Sequence, residues 1–312
     1  MGRDVVKQST LATILVIQIV LVVLVWWFRL GDDEQRPEPL LSFEPDSIQR
    51  IEISAIGEKR GVTLVRDTDN WQLVPDIPAD ADKVERFLTK LADTDSGWPV
   101  AEQDSTADRF EVTHENHQRH IVLYDADKVL GGVYLGTSPG YRKVHARADS
   151  GGPVYSVKFS VYEVGMDSAS WLDRAILQAV GEVRELTLDG VFSLSSEGGD
   201  GWVSDQGGDL DQDAVQTLID RFRNLTVMGI YEEPVGDGPL LTYIVTDDEG
   251  PQRLTIVHLK KADGDATSSH YVVSSNRREG HFELASYIAE RIEATLDDLV
   301  IAASDVEEVV KE

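Results

Sequence analysis

Three histidines, His114, His117 and His120, stand three residues apart in the run THENHQRHIVLY. Imidazoles at that spacing share one face of a helix and can hold zinc. The run leads instead into strand-like residues, and on a strand positions three apart face opposite ways. A polar surface loop is therefore the preferred reading. Asp209, Asp211, Asp213 and Asp220 fall at positions 1, 3, 5 and 12 of a calcium-loop template. Position 6 is Ala214 rather than glycine, and position 12 lacks the bidentate glutamate, so these aspartates are read as marking entry to a helix. No G-x-x-x-x-G-K-[ST] phosphate loop occurs. The absence of cysteine excludes disulfides, thiolate metal sites and cysteine nucleophiles. No catalytic, cofactor-binding or metal-ligating residue is assigned.

The elements that would position such groups repeat along the chain. An offset of 131 pairs Trp71 with Trp202, Asp80 with Asp211, Asp82 with Asp213 and Val84 with Val215. Val84, Phe87, Leu88 and Leu91 recur at helical spacing, as do Val215, Leu218, Ile219 and Phe222. Asp82 and Asp213 are expected to cap these helices, and the two tryptophans to pack in a core. Alternating, β-branched runs predict strands at 48–53, 62–65, 121–124, 129–135 and 143–148 in one copy. The other copy has them at 183–188, 191–194, 241–245, 253–259 and 271–274. A closing helix is expected at 157–164 and at 282–296. The expected fold is α+β, with two tandem β-rich repeats, 43–178 and 181–303, each with its own core and a helix on a mostly antiparallel sheet.

Leu11 to Phe28 carries no charge. As a helix it would span about 27 Å, close to the roughly 30 Å hydrocarbon layer. It is expected to be an uncleaved, single-pass transmembrane helix with residues 1–10 as a cytoplasmic tail, because Arg3 and Lys7 precede it and Asp32, Asp33 and Glu34 follow. Residues 29–42 read as a linker and 304–312 as an acidic tail. The expected address is the bacterial inner membrane, with the repeats periplasmic or otherwise extracytoplasmic. Gln18, Trp26 and Trp27 are the candidate partner-binding residues. The chain has 56 acidic and 29 basic residues, and only Asp4 of the acids but Arg3, Lys7 and Arg29 of the bases lie before residue 31. The remainder is thus more acidic than the whole, which argues against nucleic acid as a partner.

The order of motifs after residue 42 resembles a bacterial family. Phe43-Glu-Pro45-Asp46-Ser-Ile48-Gln-Arg50-Ile51-Glu52-Ile53 is followed by Trp71-Gln-Leu73-Val74-Pro75 and then Pro78-Ala79-Asp80-Ala81. Tyr134-Leu135-Gly136-Thr137-Ser138-Pro139-Gly140 and Pro153-Val154-Tyr155 come later. The set is similar to the family called domain of unknown function 4340, although its "YGL" text is represented only by Asp108 to Val112. The resemblance implies a membrane-anchored protein without a known enzymatic site, in the context of auxiliary subunits of gliding-motility-type ABC transporters. The expected function is accordingly a non-enzymatic, membrane-anchored extracytoplasmic accessory subunit that binds an integral-membrane transporter or its auxiliary subunit. Two rivals stay open. One is a solute- or glycan-binding module, which a concave pocket lined by Trp98, Tyr134 or Tyr141 would favour. The other is an envelope hydrolase, which needs two buried carboxylates facing one cleft.

Overall fold

The computed structural model describes residues 15–24 and 38–300, apart from 58–60, 69, 197–200, 239, 264, 265, 294 and 295. Residues 15–24 form helix α1, and all ten side chains are exposed. Among the described residues no helix is long and apolar enough to cross a membrane. That corrects the single-pass anchor expected over 11–28, and with it the inner-membrane address and the membrane-anchored fold class. Residues 11–14 and 25–28 lie outside the described residues, and so do the two tails.

The first group of strands is β1 (Arg50–Ser54), β2 (Val62–Asp67), β3 (Asn70–Leu73), β4 (Ile77–Pro78), β5 (Pro99–Ala101), β6 (Arg119–Asp125), β7 (Lys128–Leu135), β8 (Val144–Ala148) and β9 (Val154–Val157). They form one sheet in the order β4-β3-β2-β1-β6-β7-β8-β9-β5. The second group is β10 (Glu185–Leu188), β11 (Phe192–Ser196), β12 (Trp202–Ser204), β13 (Val227–Ile230), β14 (Leu240–Asp247), β15 (Gly250–Asp263), β16 (Ala266–Ser275) and β17 (His281–Leu284). Their order is β12-β11-β10-β14-β15-β16-β17-β13. Period-two burial drives both sheets: Ile51 lies opposite Leu64 on one side and Leu123 on the other. Leu186 lies in the same way between Leu194 and Val245.

Most buried apolar side chains of both sheets join in one cluster that runs from Leu40 to Leu299, while Ala107, Val112, Tyr134 and Val154 form a smaller one. This corrects the expectation of a separate core for each repeat. The segment between the sheets supplies the joint. Trp171, Leu172, Ile176 and Leu177 are buried in the cluster. Their backbone reaches both ways, with the Asp173 N–H on the Pro78 carbonyl and the Arg174 carbonyl accepting from the Val227 N–H.

Helix α2 (Ala81–Ala92) buries Val84, Phe87, Leu88 and Leu91, and α3 (Gln212–Arg223) buries Val215, Leu218, Ile219 and Phe222. The caps lie two residues earlier than expected. Asp80 accepts from the Lys83 N–H at 2.9 Å, and Asp211 accepts from the N–H groups of Asp213 and Ala214. Asp82 and Asp213 instead occupy the first turn, where a carboxylate only complements the helix dipole. Asp80→Ala and Asp211→Ala are each expected to cost about 1 kcal/mol in urea unfolding, and Asp82→Ala less than about half of that. Equal losses at Asp80 and Asp82 would refute this assignment.

The helix expected at 157–164 is a different structure. Val157 ends β9, and only Val161–Glu163 forms a short 3-10 turn. Over 282–296, β17 comes first and helix α4 (Ser286–Ile292) follows.

Candidate functional site

Helix α2 turns its apolar stripe into the core, so its other face is free to wall a groove. Arg86 and Lys90 project there from α2, opposite Lys143, Ser156 and Lys158 from the β8–β9 side. This groove has a volume of about 760 Å³. A second hollow of about 730 Å³ shares Lys90, Lys143 and Lys158 with it and adds Tyr141, Arg142 and Glu163. Its lining thus carries four cations and one carboxylate, in a chain of net charge −27.

The turn from β7 to β8 places two of the cations. The Lys143 N–H bonds the Gly140 carbonyl, and the Ser138 hydroxyl donates to the carbonyls of Gly140 and Lys143. Arg142 is left-handed at φ 52°, a conformation that costs an L-residue about 1–2 kcal/mol. Its guanidinium lies 5.1 Å from the Tyr141 ring centre. Glu163 pairs with Lys90, so the one carboxylate of the second hollow is engaged. Glu85 on α2 is engaged as well, accepting from Arg66 and, at 2.7 Å, from the Trp71 indole. Three aromatics stand out around the groove: Tyr141 is 85 % exposed, Tyr162 beside Glu163 is 92 % exposed, and Trp98 beside the lining Gly97 is 85 % exposed.

The other residues singled out in the sequence lie elsewhere. Gln18 is exposed on α1, while Trp26 and Trp27 fall outside the described residues. Trp71 is 1 % exposed in the core, but Trp202 is only partly buried. Tyr134 is buried and faces the histidines. Of the three histidines only His114 is exposed in a loop, as the sequence reading expected. His117 is buried, its Nδ1 is 3.0 Å from the Thr113 carbonyl, and its ring is 5.7 Å from that of His120. His117 precedes β6 in a bridge to Val112, which frees it from the strand alternation that separates positions three apart. His120 stacks on Tyr134 at 4.2 Å, and its Nε2 lies 3.6 Å from Asp149. Burial holds its pKa below the ordinary imidazole value, against the opposing pull of Asp149. No group of three or more metal-ligating side chains assembles among the described residues. The carboxylate buried among them is Asp247, bound to Arg277, so the buried pair facing a cleft that a hydrolase would need is not found there.

Of the pocket-lining aromatics that the sequence reading named, Tyr141 lines the second hollow. The cations escaped that reading because they come from positions as distant as Arg86 and Lys158, and only the folded sheet brings them together.

A family model described as "Domain of unknown function (DUF4340)" matches residues 71–243, a stretch that contains every groove residue named above. Comparison with curated proteins and with solved structures finds no match.

Proposed function

The chain belongs to the DUF4340 family, and from that premise we propose that it is a non-enzymatic accessory subunit that works by binding a partner protein at the α2 groove. The observation that carries this reading is Tyr141, 85 % exposed in a hollow whose lining carries four cations and one carboxylate. Tryptophan, tyrosine and arginine are the residues that dominate protein interfaces when desolvated, and a soluble surface rarely leaves them so bare together. The partner class favoured by the family context is a subunit of an ABC-type transport complex. A second reading, a site for a small solute or sugar, draws support from Tyr141 at the mouth of a hollow.

Photo-crosslinking separates the two. A photoreactive amino acid at Tyr141 or Tyr162 is expected to capture a transport subunit in cells, while the same label at exposed Val191 in the β10–β11 turn captures none. Equal yields at all three positions, or no protein adduct at Tyr141 and Tyr162, would overturn the protein-binding reading.

A further inference from the structure

We infer that the segment from Asp104 to His117 is an acid-released lid over the smaller core, held shut by neutral histidines on two of its sides.

The lid is a separate piece of packing. Its Ala107 and Val112 meet Tyr134 of β7 and Val154 of β9 in a cluster apart from the main one, and Phe110 packs against them. So small a core makes a unit of low local stability, of the kind that opens without global unfolding. Glu111 stands in the left-handed region at φ 58°, which costs an L-residue about 1–2 kcal/mol. The lid lies directly on the end of β7, where a Cβ at Gly136 would collide with the Phe110 carbonyl oxygen. The Thr137 N–H donates to that oxygen at 3.0 Å, and the Asn116 side-chain amide donates to Asp108 at 3.1 Å. Thr137 leads into the turn that carries Tyr141 and Lys143, so the lid also steadies that turn.

Histidines brace the lid from two directions. His117 ends it, with its ring 5.2 Å from that of Tyr134 and 5.7 Å from that of His120. His120 stacks on the same Tyr134, and its Nε2 is buried without a hydrogen bond. Asp149, at 3.6 Å, is beyond hydrogen-bond reach, and its carboxylate lies over Gly132, where a Cβ would collide with it. On the other side His145 of β8 sets its ring 4.6 Å from that of Phe110 and its Nδ1 2.8 Å from the Thr137 hydroxyl.

Burial favours the neutral form of both His120 and His145. For His120 it outweighs the pull of Asp149, and His117 and His114 reinforce it. For His145 it outweighs a hydrogen bond to Thr137, and Arg109 reinforces it. The other charges at the lid are Glu115 and Arg147, which act on Tyr134, Asp104, which pairs with Arg147, and Glu111, which accepts from Gln118. The closed lid therefore binds fewer protons than the open one, whose wetted rings titrate near the ordinary value of about 6.5. Its stability is complete above that value and falls with pH through the window below it.

Amide exchange read by mass spectrometry tests this on the full chain in non-ionic detergent, corrected for the intrinsic pH dependence of exchange. From about pH 7 to about pH 5, protection over 104–117 is expected to fall at least about threefold more than in α3. Carboxylates, with ordinary values of about 3.9–4.3, stay largely ionised over that range. H120F keeps a ring on Tyr134 that cannot charge, and H145F does the same beside Phe110, so the double variant should lose the acid step. D149N removes the anion that favours charged His120, so its acid step should grow. A merely structural role for the rings would lower protection equally at both pH values and leave the step in place. An unchanged lid at about pH 5, an equal fall in α3, a step that survives in H120F/H145F, or one that shrinks in D149N would each overturn the inference. Should the double variant not fold, D149N alone decides.

Discussion

Asp247→Ala is expected to destabilise the fold by about 3–5 kcal/mol, the loss typical of stripping one partner from a buried ion pair. The Asp247 side chain has 0 % exposure and holds three separate segments. Arg277, beyond β16, donates to both carboxylate oxygens at 2.9 and 2.6 Å. The Val180 N–H, on the segment between the sheets, donates at 2.8 Å, and the Glu249 N–H, in the β14–β15 turn, at 2.9 Å. Alanine leaves a half-paired guanidinium and two orphaned amides in the interior. R277A should cost a comparable amount, and the double variant less than the sum, because the second deletion removes the stranded charge left by the first. Urea unfolding at pH 7 measures all three; a loss below about 1 kcal/mol for Asp247→Ala would refute this account.

The same carboxylate fixes a pH dependence. Burial alone would raise its pKa, but the Arg277 hydrogen bonds and those from Val180 and Glu249 outweigh burial and leave it below the ordinary value. A depressed folded-state pKa means that the stabilisation is complete above the unfolded-state value of about 3.9 and is lost as pH falls through the folded value. The native chain should therefore lose more stability than Asp247→Ala between pH 5 and 2, when each is compared with its own stability at pH 7.

Helical spacing was the most legible signal in the sequence. Val84, Phe87, Leu88 and Leu91 share one stripe, and all four are buried. The caps were displaced because Asp80 and Asp82 are both competent residues, and only the backbone geometry selects the earlier one. The offset of 131 over-read the tryptophans. It pairs Glu85, which receives the Trp71 indole, with Gln216, which donates to Asp220 instead. Trp202 thus lacks the acceptor that lets an indole be fully buried, and it stays partly exposed. The apolar run 11–28 invited a membrane span on length and composition alone, whereas among the described residues no helix is long and apolar enough to cross a membrane. The groove could not be read from neighbouring residues, because strand order, not sequence distance, brings Lys143 and Lys158 to α2.

Trp171→Ala is expected to cost about 3–5 kcal/mol and to weaken the groove without touching its lining. Trp171 has no counterpart in the repeated motifs, yet it is 0 % exposed. Phe87 of α2 meets its ring edge-on at 5.3 Å, and its indole N–H donates to the Gly165 carbonyl at 2.9 Å. Its own carbonyl accepts from the N–H of Asp80, the residue that caps α2, at 2.8 Å. Ring and backbone together therefore fix both the depth and the start of the helix that carries Arg86 and Lys90. Truncation leaves a cavity beneath Phe87, and the helix can relax toward it. Amide exchange should then rise along α2 more than in α3. Trp171→Phe keeps most of the ring packing and loses the indole bond, so it should cost about 1–3 kcal/mol from the unsatisfied Gly165 carbonyl. If Trp171→Ala unfolded at the wild-type urea midpoint, or if exchange rose equally in both helices, α2 would have to be held by its apolar stripe alone. The groove would then depend on the sheet rather than on this joint.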